Sequence, residues 1–208
     1  MNTERRMTPA ASITIETRDD GKKVVSGYGA VFHNPKDEGT EFQLWSDLRE
    51  RIAPGAFDRA LKEKHDARGL FNHDPNMLLG RVGSGTMRLS VDKKGLRYEI
   101  DLPDTQVGRD VAASIARGDL TGSSFAFSVK RQSWEQGKDF DIRTIEDLDL
   151  YDTGPVTYPA YSATTTGLRS GECADAVAAR DAWRHEREAE AVAVRSRAIS
   201  LDIENASA

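Results

Sequence analysis

A single cysteine, Cys173, stands among 208 residues. That excludes an internal disulfide and any metal centre built from several thiolates. No apolar run approaches the roughly 20 residues that a membrane-spanning helix needs, so no membrane partner is expected. The first residues carry charges but no apolar core of the secretory-signal kind. No basic block is present and the formal net charge is −5, which argues against direct nucleic-acid binding. There is no internal repeat. The H-E-x-x-H pattern is missing and the histidines and carboxylates do not cluster at ligand spacing, so no metal is expected.

What is present suffices for one domain of ordinary size with an appendage. Hydrophobic residues make up 38% of the chain and charged residues 30%. Residues 1–11 read as a flexible N-terminal arm. Ser12 to Thr17 alternates as a strand, Asp19-Asp20-Gly21-Lys22 turns the chain, and Val24 to Phe32 returns. Gly27 and Gly29 interrupt the return strand and allow a bulge or a bend, which suits a barrel or a curved sheet. Phe42 to Ile52 is extended. Pro54 favours helix entry, and the spacing of Ala56, Phe57, Ala60 and Leu61 predicts a short helix to about Lys64. Met87, Leu89 and Val91 alternate, Asp92-Lys93-Lys94-Gly95 turns, and Leu96, Tyr98, Ile100 and Leu102 alternate back. This is the clearest hairpin in the chain. A helix capped by Asp104 or Thr105 buries Val107, Val111 and Ile115 and stops at Gly118. Phe140 to Tyr151 is extended again, followed by a kinked strand or loop over 154–159. Residues 172–199 contain neither Gly nor Pro and form a helix. Its apolar stripe (Val177, Trp183, Val192) is too weak for core, so it reads as an appendage or a partner-binding helix.

Gly118-Asp119-Leu120-Thr121-Gly122-Ser123-Ser124-Phe125-Ala126-Phe127-Ser128-Val129 is the centre of the chain. Alternation places Ser124, Ala126 and Ser128 on one face and Phe125, Phe127 and Val129 on the other. The aromatic face is core, so the small face looks at solvent or a cleft. A serine there sits where a nucleophile would, on a rigid element, although small polar strand residues are also common without any such role. Gly122-x-Ser124-x-Ala126 superficially resembles a nucleophile elbow. That elbow needs a strand before the serine and a helix after it, and here the order is reversed.

A serine nucleophile needs a base within hydrogen-bond reach, and the base needs an orienting acceptor. Of the four histidines, His65 and His185 lie in polar surroundings and read as solvated, and His33 has no evident partner. His73 follows the apolar pair Leu70-Phe71 and precedes Asp74-Pro75, a strand end able to hold an imidazole. The acidic run after Phe140 offers Asp141, Glu146, Asp147 and Asp149. Asp147, Asp149 and Tyr151 share one face, with Leu148 and Leu150 on the other. The residues alone do not choose among these acids.

Seven segments stand in order along the chain: Gly27-Tyr28-Gly29-Ala30-Val31-Phe32, Glu50-Arg51-Ile52-Ala53-Pro54-Gly55-Ala56-Phe57, Phe71-Asn72-His73-Asp74, Leu79-Gly80-Arg81, the serine segment, Arg143-Thr144-Ile145-Glu146-Asp147-Leu148, and Pro155-Val156-Thr157-Tyr158-Pro159-Ala160-Tyr161. In this order they resemble the prohead serine proteases of tailed phages. The resemblance covers roughly residues 24–166. It implies a mainly-β α+β fold, a β-barrel with surrounding helices like that of the herpesvirus assembly proteases, over residues 12–170. Residues 171–208 would be a charged helical tail, self-cleaved or tethering the enzyme to scaffold.

By position, the resemblance implies Ser124 as nucleophile, His73 as general base and Asp147 as the third member, with Glu146 next in line. The family often has Gly in place of Ala126 and Met in place of Ser123. The latter difference puts a second hydroxyl beside Ser124, but on the aromatic face. The implied activity is a serine endopeptidase that needs no cofactor and acts inside the assembling prohead in the host cytoplasm. Its implied substrates are the scaffold protein, the scaffolding segment of the major capsid protein, and the protease itself. Weak homodimerisation is a further implication of the herpesvirus likeness. A non-enzymatic assembly or scaffold protein on the same fold is the alternative.

Overall fold

The computed structural model describes residues 3–8, 13–158 and 174–206. The Pro159-Ala160-Tyr161 motif, Cys173 and the expected boundary near residue 170 lie outside the described residues. Among the described residues, eleven strands and three α-helices run in order: β1 (Glu4–Thr8), β2 (Thr14–Thr17), β3 (Lys23–Val31), β4 (Phe42–Trp45), β5 (Leu48–Ile52), α1 (Asp58–Lys62), β6 (Arg68–Leu70), β7 (Leu78–Arg81), β8 (Met87–Val91), β9 (Gly95–Asp101), α2 (Gln106–Arg117), β10 (Gly122–Gln136), β11 (Asp141–Val156) and α3 (Ala174–Ala206).

The strands form two sheets rather than the expected closed barrel. One has seven strands along the path β1-β10-β11-β5-β4, with β6 on β11 and β7 on β6. The other has four, ordered β2-β3-β9-β8. No ladder joins them among the described residues; instead β3 packs beside β1 and β10. The bulge anticipated in β3 is present between Tyr28 and Ala30. Its glycine serves close approach rather than barrel closure. A Cβ on Gly29 would lie 2.3 Å from Thr153 Oγ1, so only glycine lets β3 cross this near to β11.

Aromatic residues organise the larger core. Phe125 and Phe127 are fully buried and stack at 4.8 Å, and Phe57 meets Phe125 edge-on at 5.8 Å. The β8–β9 hairpin pairs Met87 with Ile100 and Leu89 with Tyr98, and its inner face forms a second cluster with Val111 and Ile115 of α2. Thr105 is the N-cap of α2, its side chain accepting from the Gly108 amide at 3.3 Å. Gly118 ends the helix in the left-handed conformation at φ 84°.

Three elements depart from the sequence reading. β11 is longer than expected and runs into the segment read as a kinked strand or loop over 154–159. The N-terminal arm is a strand over Glu4–Thr8, antiparallel to β10 with Met7 opposite Ser124. The first turns of α3 dock on the β10–β11 hairpin: Trp183 stacks on Trp134 at 5.7 Å, and Arg184 Nε donates to Asp141 Oδ2 at 2.6 Å. Farther along the same helix Val192 and Val194 are exposed.

Candidate active site

The site is built where β10, β11 and the loop after β6 converge. Ser124 lies near the start of β10, a strand held in place by the buried Phe125 and Phe127 beside it. Its carbonyl accepts from Thr153 Oγ1 at 2.9 Å. His73 comes from the turn between β6 and β7, where Asn72 and His73 take left-handed φ values of 56° and 58°. Two consecutive non-glycine residues in that region are sterically unfavourable and persist only where surroundings hold them. Asn72 supplies the hold. Its amide nitrogen donates to Thr157 Oγ1 at 2.9 Å, its side-chain oxygen accepts from the Thr157 amide at 2.8 Å, and its own backbone amide donates to Pro155 O at 3.1 Å. The loop is thus clamped to the end of β11. Gly154 lets Leu70 pass, since a Cβ there would lie 2.3 Å from Leu70 O.

The imidazole bridges two partners. His73 Nε2 is 2.6 Å from Ser124 Oγ, and His73 Nδ1 is 2.5 Å from Asp152 Oδ1. Asp152 and His73 are about nine-tenths buried, with side chains 13% and 10% exposed, so water competes weakly for these contacts. A hydroxyl, an imidazole and a carboxylate in line are the groups needed to activate an oxygen nucleophile.

Asp147 is not brought to His73. Its carboxylate takes Arg59 Nε of α1 at 3.0 and 2.9 Å, while Arg59 Nη2 reaches Leu148 O and Asp149 Oδ1. These bonds, led by that to Asp147, raise the Arg59 guanidinium further above its ordinary range. Along an extended strand, Asp147 is five residues from Asp152, a span of roughly 15 Å. Glu146 is also elsewhere, accepting from Arg131 Nε at 3.0 Å.

The reason lies in the register of β11. Phe127 pairs with Leu150 and Ala126 with Asp152, leaving Tyr151 without a partner in the ladder. This bulge reverses the alternation. Ser128 pairs with Asp149, Ala126 with Asp152 and Ser124 with Gly154, so Asp152 joins the serine face. Strict alternation from Leu148 and Leu150 would have sent Asp152 to the core. Nothing in the sequence marked Tyr151 as the odd residue.

The two adjacent serines separate cleanly. Ser123 Oγ shares a hydrogen bond with Tyr98 Oη at 2.9 Å within the core, and burial pushes the Tyr98 phenol well above its ordinary range. Only Ser124 meets the imidazole. The small face of β10 is nevertheless not open. Ser124 is 0% exposed, Ala126 1% and Ser128 5%. Ser124 Oγ also donates to the carbonyl of Arg6 on β1 at 2.9 Å. Beside Asp152 lies an open cleft of about 650 Å³, with Arg59, His65, Arg68, Lys130 and Asp149 among its lining residues. Burial tends to raise the Asp149 carboxyl, but its bonds to Lys130 and Arg59 reverse this and hold it below the usual range.

The other histidines stand apart. His65 Nε2 is 3.2 Å from Glu63, and His185 is exposed on α3. His33 has a buried Nδ1 without a hydrogen-bond partner, and burial lowers its affinity for a proton. Among the described residues no group of three or more His, Cys, Asp or Glu side chains is arranged to hold a metal ion. No described helix is long and apolar enough to cross a membrane.

Comparison with known proteins places the chain. No curated protein is significantly similar to it. Among solved structures, the bacteriophage T4 capsid assembly protease gp21 superposes with a TM-score of 0.49 at 11% identity, covering 76% of this chain and 100% of that one. The family profile described as caudovirus prohead serine protease matches residues 11–177, most of the chain and the whole of the candidate site. The chain therefore belongs to the caudovirus prohead serine protease family.

Proposed function

We propose that this protein is a serine endopeptidase of phage head maturation in which Ser124 is the nucleophile, His73 the general base and Asp152 the orienting acid. The observation that carries the reading is the continuous contact from Ser124 Oγ through the His73 ring to Asp152 Oδ1, at 2.6 and 2.5 Å. Family membership supplies the reaction class.

In the proposed reaction Ser124 Oγ attacks the carbonyl carbon of a peptide bond while its proton passes to His73 Nε2. Asp152 accepts from Nδ1–H, which keeps the lone pair on Nε2 and stabilises the imidazolium as it forms. The imidazolium then gives its Nε2 proton to the leaving amine, and an acyl-serine remains. Water, deprotonated by the same nitrogen, releases the acid product and restores the hydroxyl. No cofactor takes part in these steps. The substrates are the scaffold protein, the scaffolding segment of the major capsid protein and the protease itself, met inside the prohead.

Co-expression with the phage's capsid protein, followed by intact-mass measurement, tests the reading. Shortening of the capsid protein or of the protease by the wild-type chain, and none with Ser124→Ala, is the expected result. Equal processing by both chains would overturn the assignment of Ser124. Absence of processing in an assembled prohead would favour the non-enzymatic assembly role.

A further inference from the structure

We infer that β1 is an intramolecular inhibitory strand, which holds Ser124 out of action until the strand is displaced from the edge of β10. The inference rests on the reading of Ser124 as the nucleophile, but its test does not.

Three observations carry it. The first is the hydrogen bond from Ser124 Oγ to the carbonyl of Arg6 at 2.9 Å. A serine hydroxyl has one proton to donate. While Arg6 O takes it, His73 Nε2 does not receive it, although Nε2 is only 2.6 Å away. The second is burial. Ser124 is 0% exposed, with β1 paired along β10 from Glu4 opposite Phe127 to Thr8 opposite Ser123. A polypeptide substrate cannot bring a carbonyl carbon to an oxygen so covered.

The third is how β1 is fastened. Its buried residues are Glu4, Arg6 and Thr8, and none belongs to either hydrophobic cluster. Detaching β1 therefore exposes no large apolar core residue of its own. The strand is tied by charge. Arg6 Nε donates to Glu50 Oε1 at 2.6 Å, Arg6 Nη2 to Glu4 Oε2 at 2.5 Å, and Arg143 to both Glu4 and Glu50 at 2.8–2.9 Å. The four charges are two acids and two bases, and they divide evenly. Glu4 and Arg6 leave with β1, while Glu50 and Arg143 stay, paired at 2.9 Å. Removal of one partner from a buried ion group is costly, whereas removal of a balanced pair is not. The cluster is thus an electrostatic latch that holds well and parts without stranding a charge. Arg6→Ala breaks this balance. Two carboxylates then face one buried guanidinium, and the chain relieves the excess by letting Glu4, and β1 with it, go to water.

The test uses the full chain carrying Ser124→Cys and Cys173→Ser, so that one thiol reports access to this position. Iodoacetamide alkylation is followed by intact mass, and hydrogen exchange at the Glu4–Thr8 amides is followed in parallel. Alkylation is expected to be slow with the native β1. With Arg6→Ala added, exchange and alkylation are expected to rise together, by roughly tenfold or more. Fast alkylation while the β1 amides stay protected, or slow alkylation once they exchange freely, overturns the inference. A fluorophosphonate probe on the native-serine chain with and without Arg6→Ala separates the two readings. If the thiol opens with β1 but the serine never reacts, β1 still covers position 124, but the nucleophile assignment falls and the inhibitory role falls with it.

Discussion

Replacing Asp152 by asparagine removes one charge and almost no volume, so the effect falls on the imidazole alone. In Asp152→Asn the side-chain amide nitrogen can face His73 Nδ1 at the place where the Asp152 Oδ1 atom now sits at 2.5 Å. An amide N–H there donates to Nδ1 and drives the ring proton to Nε2, the nitrogen that accepts from Ser124 in the proposed mechanism. A triad with its imidazole in that tautomer loses about 10³- to 10⁴-fold in rate, or ~4–5.5 kcal/mol of transition-state stabilisation. Little solvent screening softens the effect, because Asp152 is 13% exposed. Asp147→Asn is the matched comparison. It weakens a partly exposed ion pair whose Arg59 keeps Asp149 and Leu148 O, at about 1 kcal/mol of stability, and leaves the rate within about threefold. First-order processing of a capsid-protein substrate, read by intact mass, measures both variants against wild type. All carry the same β1, so its closing equilibrium cancels in the ratios. A thousandfold loss in a folded Asp147→Asn protein, with Asp152→Asn near wild type, would return the third position to Asp147 and leave the Asp152 contact without a catalytic role.

Three further outcomes are expected. Burial raises the Glu4 carboxyl, but Arg143 and Arg6 more than reverse this and hold it below the ordinary glutamate value of 4.5. A lowered folded value means that the ionised group's contribution is present above 4.5 and is lost as pH falls through the folded value. Exchange at the β1 amides, corrected for its intrinsic pH dependence, is therefore expected to stay slow near neutrality and to rise only below that value, as Arg6, Arg143 and Glu50 are left with excess positive charge. Ser123→Ala is expected to leave processing within about threefold while costing ~1–3 kcal/mol in chemical denaturation, because it strands the buried Tyr98 hydroxyl. Asn72→Ala is expected to lower the processing rate more than its ~1–2 kcal/mol cost in stability suggests, since it frees the left-handed turn that aims His73; an unchanged rate in the folded variant would show that the clamp does not position the imidazole.

Local patterns made some of this architecture legible and long-range register hid the rest. The β8–β9 hairpin was written in strict alternation around one turn, and helix α2 in its stripe, its cap and Gly118. Ser124 and His73 could be singled out because each sits at a punctuated strand end inside an ordered set of motifs. Asp152 could not. Period-2 reasoning puts it with Leu148 and Leu150, and only pairing with β10 reveals that Tyr151 is skipped. The closed barrel failed for a similar reason. Glycines in β3 mark close approach to Thr153 and Tyr98, and sequence alone does not distinguish this from a barrel corner. The strand at the N-terminus was hidden by its composition, since Glu-Arg-Arg-Met-Thr reads as a solvated arm until Glu50 and Arg143, far along the chain, complete its charges.

The skipped Tyr151 makes the site a question of parity as well as chemistry. Every residue from Asp152 to Val156 owes its facing to the one residue passed over before it. Loss of Tyr151 together with its bulge would leave Asp152 directly after Leu150 and still on the serine face, whereas a chain that kept all its residues but paired without the bulge would turn the carboxylate toward the side of Leu148. The Gly154 crossing and the backbone that receives Asn72 would turn with it. Relatives that keep this arrangement are therefore expected to hold the extra residue and the bulge together or to lack both, whatever side chain stands at this position.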